Sequence, residues 1–306
     1  NYFERWNVNI ISGGDSWGYY AYLPALFIHH DLDSLHRSVP VRKSYHQGFY
    51  TSATNPIGID EALHIGGGKQ VIKYTMGIAI LNLPAFAVGH GLALALDDYP
   101  ADGYSPPYVL AIHLYVFLVL LLGLFILKKV LERYVRNPVV LVTLLTLTLA
   151  TNLFFFTVYN GPMAHAYLFT LHSLLLWATI RWYESQRWRD ALLVGLSAGF
   201  ITLIRPTDGI ILLLPLLYGV TGWNSLRERF AFIGRHWRAY LLVVLVFIAC
   251  GVPQLIYWKW VTGDFFYYSY GDEGFDFANP RIRDGLLSYK NGWLAYTPVM
   301  GLALLG

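Results

Sequence analysis

The sequence predicts an all-α protein: a polytopic transmembrane helix bundle whose extracytoplasmic loops carry short interfacial helices. Three observations carry that prediction. Only 13% of the 306 residues are charged and 56% are hydrophobic, whereas a soluble domain carries about 25% charged residues. Aromatic residues reach 17%, with 10 Trp and 23 Tyr, and amphipathic rings gather at the two headgroup levels of a bilayer. Several apolar runs approach ~20 residues, the length that crosses the hydrocarbon core.

Other classes are excluded on the same ground. A formal charge of +3, with no basic tract interleaved with aromatics, gives nucleic acid no footprint. The single Cys250 lies in an apolar run, so there is no disulfide framework and no cysteine metal site. It reads as a small buried hydrophobe. The opening Asn1-Tyr2-Phe3 does not read as the start of a signal peptide, and the chain stops at Leu304-Leu305-Gly306 in an apolar run. Both ends read as cut, with one helix expected before Asn1 and more after Gly306.

Four regions follow. Residues 1–107 are a first extracytoplasmic loop with interfacial helices and a hairpin, and 108–257 are the transmembrane bundle. Residues 258–292 form an aromatic and acidic extracytoplasmic loop, and 293–306 begin a further transmembrane helix. Within the first region, 1–74 is polar and holds a short helix near 16–30. Gly66-Gly67-Gly68-Lys69 has the look of a phosphate loop but lacks its spacing and its Ser/Thr, so it reads as a flexible turn. Residues 76–96 are apolar but interrupted by Pro84, Gly89, His90 and Gly91, which suits a re-entrant or interfacial hairpin.

The bundle begins with a span at 108–127. A second follows at 139–158, with Pro138 in its first turn, where a missing N–H costs nothing. A polar link at 159–166 leads to a helix over 167–180. Runs at 191–204 and 210–220, joined by Arg205-Pro206-Thr207-Asp208-Gly209, form an up-down pair, and 239–257 spans again. Three short basic loops carry Lys128, Lys129, Arg133 and Arg136; then Arg181, Arg187 and Arg189; then Arg227, Arg229, Arg235 and Arg238. The positive-inside rule makes them cytoplasmic. One alternating path satisfies all three, and it sends Asp15, Lys73, His165, Arg205 and the 258–292 loop to the outer side. It also requires 76–96 to begin and end outside, which favours a hairpin over a span.

Each candidate has a structural and a chemical reading. Asp15, in Gly13-Gly14-Asp15-Ser16-Trp17-Gly18-Tyr19-Tyr20, is either a helix cap or a base at the membrane surface. Lys73 is an interfacial anchor or a cation for a lipid phosphate. His165 is a polar residue at a helix start, or a group that bonds a phosphate or sugar or helps hold a metal. Arg205 pairs locally with Asp208, or offers its planar fork to a phosphate. The rings and carboxylates around Asp272 and Glu273 suit sugar recognition, and an interfacial belt explains the rings alone. His113 and His172 lie inside apolar helices and are assigned no role.

An ordered set of motifs carries a family resemblance: Gly14-Asp15-(x)3-Tyr19-Tyr20; Lys73-Tyr74-(x)2-Gly77; Pro162-Met163-Ala164-His165; Leu203-Ile204-Arg205-Pro206; Tyr270-Gly271-Asp272-Glu273-Gly274-Phe275; and Leu287-Ser288-Tyr289-Lys290-Asn291-Gly292-Trp293. The chain resembles bacterial integral-membrane glycosyltransferases of the GT-C superfamily. It is most similar to the family-39-like, mannosyltransferase-type proteins related to protein O-mannosyltransferases and aminoarabinose transferases. The resemblance covers nearly the whole chain.

It implies a GT-C-like bundle in the bacterial inner (plasma) membrane, active on the extracytoplasmic side. The enzyme would pass a sugar from a polyprenyl-phosphate donor to an acceptor hydroxyl, with Asp15 as general base. Lys73 or Arg205 would bind the donor phosphate, and Tyr19, Tyr20, His165, Asp272 and Glu273 the substrate. Partners implied are the lipid-linked sugar, membrane lipids and other subunits of a membrane complex. Where the family often carries a second acid this chain has His165, so no metal site is assigned and a divalent ion is left open. The alternative is a non-catalytic subunit or scaffold built on the same fold. A transporter would show two related halves, and no internal repeat is visible.

Overall fold

The computed structural model describes residues 10–45, 62–159, 161–270, 274, 276–290 and 292–305. They are mostly helical, in the order α1 Gly14–Tyr20, α2 Tyr22–Pro24, α3 Ser38–Tyr45, β1 Ala62–Gly66, β2 Lys69–Ile72, α4 Gly77–Ala95, α5 Pro106–Leu131, α6 Asn137–Leu149 and α7 Asn152–Val158. The chain continues through α8 Ala164–Ser185, α9 Trp188–Ile204, α10 Leu213–Leu217, α11 Trp223–Arg235 and α12 Trp237–Thr262 to the short α13 Ile282–Leu287, α14 Trp293–Tyr296 and α15 Met300–Ala303.

Among the described residues, three helices are long and apolar enough to cross a membrane: α4, α5 and α12. A fourth span results if α6 and α7, bent by 58° at a short break, count as one. The bend falls at Ala150-Thr151, where Thr151 accepts the Leu153 N–H and starts a new helix. Helices α8 and α9 sit in the middle, covered by α5 and α12, and their small and polar residues are buried. The outer faces of α5, α6 and α12 expose rows such as Leu114, Leu118 and Leu121, Leu141 and Leu145, and Leu241, Leu245 and Ile248. Exposed Leu and Ile in continuous rows suit a lipid solvent, where backbone groups are satisfied inside each helix.

Side-chain contacts fix the relative directions. Thr170 donates to Val119 O and Arg133 pairs with Glu184, so α5 and α8 run parallel. Arg181 pairs with Asp190 at 3.1 Å across the turn from α8 to the antiparallel α9. Gly195 lies against Val243 and Gly199 against Cys250, so α9 and α12 run parallel. After Ile204 a 3₁₀ segment, Pro206–Leu212, and α10 return along the bundle until Pro215 O accepts the Tyr183 hydroxyl. These directions are the ones the basic loops predict. Arg133, Arg181, Arg229 and His236 gather at one end, and Lys73, His165 and Arg205 at the other.

The expected hairpin at 76–96 is corrected: α4 is one continuous helix with Pro84 inside it. It does not run the length of the bundle. Gly77 abuts Ile204 at the end of α9, Asn82 accepts from Tyr167 at the start of α8, and Gly89 abuts Tyr108 at the start of α5. Both ends of α4 therefore stay at the end of the bundle that carries Arg205, and the helix lies across it. Pro84 itself is exposed, and the buried face of α4 is the one carrying Ala79, Asn82 and Phe86.

Two further expectations change. The all-α class omits the antiparallel pair β1–β2, whose register runs from Ala62↔Ile72 to Gly66↔Lys69. Its turn at Gly67-Gly68 has positive φ at both residues, a conformation glycine adopts without strain. The segment from 293, expected to be the start of a further transmembrane helix, is two short helices with Pro298 between them. Over the end of the bundle where α5 begins lies an aromatic head. Trp17 donates to the Tyr104 hydroxyl at 2.9 Å with Arg42 4.0 Å above its ring, and Asp102 accepts the Tyr104 and Ser105 N–H groups that precede α5.

Candidate functional site

The site is assembled where α1, the strand-to-α4 link and the end of α9 meet. Gly13 occupies the cap position of α1 and no side chain caps it, so Asp15 stands inside the first turn. The capping reading of Asp15 is thereby corrected. Its carboxylate is exposed and accepts the Tyr74 hydroxyl at 2.6 Å. Tyr19, one turn on, shares that face of α1 and packs on Tyr74 with ring centroids 4.5 Å apart.

The segment carrying Lys73 and Tyr74 is held from below. Ile72 N–H donates to the Tyr257 hydroxyl at 3.0 Å, and Met76 N–H to Gln254 Oε1 at 2.8 Å, both on α12. The Thr75 hydroxyl donates to Leu203 O, one of the last carbonyls of α9 that has no helical partner. Gly77 permits the contact: a Cβ there would lie 2.8 Å from Ile204 Cγ1 and 3.0 Å from Ile204 N. Thus a glycine and a threonine dock the Lys73-Tyr74 link directly onto the helix end that presents Arg205.

Arg205 is half-exposed, and among the described residues its ion-pair partner is Asp208 at 3.9 Å. That separation is too long for a tight bidentate pair and leaves the guanidinium able to take a second partner. Arg205, Asp208 and His165 line one cavity of about 300 Å³. Its apolar wall is built by Leu147 of α6, Leu153 of α7, Phe169 of α8 and Trp293 of α14. The His165 ring stacks on Phe156 at 3.6 Å, and its Nδ1 has no hydrogen-bond partner among the described residues.

Electrostatics ties the parts together. Burial, and next the Arg205 guanidinium, push the His165 imidazole down to about 4 against an opposing pull from Asp15, so the ring is neutral at pH 7. Burial raises the Tyr19 phenol, with Tyr270, Asp15 and Asp208 adding to the rise and Arg205 opposing it. Burial and the bond to Asp15 hold the Tyr74 phenol well above its ordinary value, so Tyr74 remains a donor. Asp15, Tyr19, His165 and Arg205 thus sense one another's charge.

The candidates fall into groups. Asp15, Tyr19, His165 and Arg205 converge. Lys73 is adjacent, its Nζ 5.2 Å from the Tyr270 ring and its carbonyl accepting the Ser269 hydroxyl, but Arg205 lines the cavity and Lys73 does not. Tyr20 is corrected from a substrate contact to a core residue: it is fully buried and donates to Gly103 O at 2.6 Å. Asp272 and Glu273 lie outside the described residues. His172, assigned no role from sequence, lines the cavity. The signal for it was its spacing, since His165, Leu168, Phe169 and His172 follow i, i+3, i+4, i+7 on one helical face. Among the described residues no group of three or more His, Cys, Asp or Glu stands close enough to hold a metal ion, so the divalent ion left open by the sequence has no ligand set there.

Comparison of the chain with family models, with curated proteins and with solved structures found no match in any of the three.

Proposed function

We propose that this chain is a membrane glycosyltransferase that moves a sugar from a polyprenyl-phosphate donor to an acceptor hydroxyl at the extracytoplasmic face of a bacterial inner membrane. The observation that carries the reading is an apolar-walled cavity lined by Arg205 and a neutral His165, with the Asp15 carboxylate near enough to act on the His165 charge. A sugar phosphate on a lipid tail requires those features together: an apolar track, a cation at its head, and a base beside the reacting carbon.

Asp15 takes the proton of the acceptor hydroxyl as its oxygen bonds to the sugar C1. The C1–O bond to phosphate breaks, and polyprenyl phosphate leaves with the bonding pair. Tyr74 donates to one oxygen of Asp15 and fixes the carboxylate's orientation, leaving the second oxygen for the acceptor. Arg205 offers two parallel N–H groups to the phosphate and stabilises the charge gathering there. His165, neutral beside Arg205, accepts or donates a hydrogen bond without competing for the anion. Lys73 adds positive field behind Tyr74.

The test is Asp15→Asn in purified protein, reconstituted with a panel of radiolabelled polyprenyl-phosphate sugars and scored for release of polyprenyl phosphate. A base of this kind contributes about 10²–10⁴-fold, so release falls by that factor while donor retention is unchanged. Full turnover by Asp15→Asn removes the base. A wild-type chain that retains donor and transfers nothing makes the protein a non-catalytic subunit.

A further inference from the structure

The end of the bundle opposite Arg205 carries a second cavity, of about 490 Å³, between the α8–α9 turn and the junction of α11 with α12. It is lined by Gln186, Trp188, Arg235, His236, Trp237 and Arg238, among others. His236 bridges the two sides: Nε2 is 2.9 Å from Gln186 Oε1, and Nδ1 is 3.0 Å from Phe232 O. The cavity is therefore cross-linked by hydrogen bonds and has a defined shape.

Its charge is unbalanced. The nearby acids Asp190 and Glu184 are taken by Arg181 and Arg133. Neither Arg235 nor Arg238 has an ion pair among the described residues, and Glu228 on α11 pairs with neither. Arg238 sits 5.5 Å from the Trp237 ring, and Arg189 5.6 Å from that of Trp188. Both tryptophans are more than half exposed, at 61% for Trp188 and 56% for Trp237. Two bare guanidiniums beside two outward-facing indoles form a site at headgroup level, because indoles collect at the bilayer interface.

The ligand follows from what continues beyond the cations. Leu242 lies in the cavity wall, and Leu241, Val244 and Leu245 run down the exposed face of α12 from Trp237. Helix α11, which closes the other side, turns the large apolar Trp223 and Phe230 outward and carries Arg227 and Arg235. A soluble anion would use the arginines and leave the indoles and this apolar track without a partner. We propose that the cavity binds an anionic phospholipid, its phosphate held by Arg235 and Arg238, its glycerol region against Trp188 and Trp237, and an acyl chain along α12. This goes beyond the transferase proposal and does not rest on it.

The full chain is reconstituted in vesicles of mixed phosphatidylcholine and phosphatidylglycerol, extracted, and its retained lipid counted by native mass spectrometry. Wild type retains phosphatidylglycerol over phosphatidylcholine, and inorganic phosphate does not displace it. Each cation near an anionic surface contributes about a 5-fold preference, so Arg235→Gln with Arg238→Gln weakens retention roughly 30-fold. Arg136→Gln, at the same end but outside the cavity, changes nothing. Trp188→Ala, a peripheral change that spares the charges and the fold, lowers retention several-fold. Equal retention of the two lipids by wild type overturns the proposal, as does undiminished retention in the double variant or in Trp188→Ala. Displacement by inorganic phosphate also overturns it, by making the site one for soluble anions.

Discussion

The contact between α9 and α12 makes a prediction that depends on which neighbour a single methyl meets. A Cβ built at Gly195 lies 2.8 Å from Val243 O and 3.2 Å from Val243 Cα, both backbone. Ordinary contact begins near 3.4 Å, so Gly195→Ala must push the two helices apart by about 0.6 Å at that level. Gly251, on α12 itself, has nothing within 4 Å of its built Cβ. Each substitution gains the same helix propensity, about 1 kcal/mol, so that gain cancels in the comparison. What remains is the overpacking cost at Gly195, about 1–3 kcal/mol. Unfolding the purified variants by detergent titration, with helicity as readout, should place Gly251→Ala above wild type and Gly195→Ala below Gly251→Ala by that margin. Gly199 supplies the control, because its two nearest obstacles belong to the Cys250 side chain, Sγ at 2.7 Å and Cβ at 2.8 Å, with Phe247 O farther off at 3.2 Å. Cys250→Gly should relieve the larger part of the Gly199→Ala cost, leaving only the looser Phe247 O contact, with a coupling of about 0.5–3 kcal/mol in the double-mutant cycle. It should leave Gly195→Ala unrelieved, since a carbonyl cannot be cut away. Equal stability of Gly195→Ala and Gly251→Ala would refute the close approach of α9 to α12.

Two further outcomes follow from the site and the head above it. The His165 imidazole titrates near 4 when folded and at its ordinary 6.5 when unfolded, so the unfolded chain binds the extra proton between those values. Stability from this group is whole above pH 6.5 and is lost as the pH falls towards 4; His165→Phe should flatten that part of the unfolding profile, and an unchanged acid slope would show that the ring is not buried. Tyr20→Phe removes the donor to the buried Gly103 O and should cost about 1–3 kcal/mol of stability. Donor retention should be untouched by that change, and loss of donor at unchanged stability would return Tyr20 to the substrate.

Much of the bundle was legible because charge marks helix ends. Lys and Arg cluster at one end of each span, so Arg133, Arg181 and Arg229 set the relative helix directions before any packing was known. The site was legible where a polar residue interrupts an apolar run, as at Arg205, or opens a helix, as at His165. What stayed hidden depended on facing. Tyr19 and Tyr20 are neighbours in sequence, yet 100° of helical rotation sends one to Tyr74 and the other into the core against Phe86 and Tyr104. Pro84 reads as a break in sequence, whereas contacts with Tyr167 and Tyr108 on either side keep α4 continuous. The strands β1 and β2 are five and four residues long, too short for an alternating pattern to stand out.

The same facing argument ranks the two cations that sequence left level. Lys73 and Arg205 both stand at the same end of the bundle, and the docked Thr75-Gly77 link brings their backbones together. Lys73 points across Tyr74 towards Tyr270, while Arg205 turns into the cavity shared with His165 and His172. A phosphate tethered to a lipid must enter from the side that has apolar walls, and Leu147, Leu153 and Phe169 stand on Arg205's side. Lys73 lies nearer Asp15's partner Tyr74, the side from which an acceptor would approach. Under the proposed function, Arg205 would therefore be the residue that meets the donor phosphate and Lys73 would add a supporting field, a division that depends on Gly77 holding the two helix ends in contact.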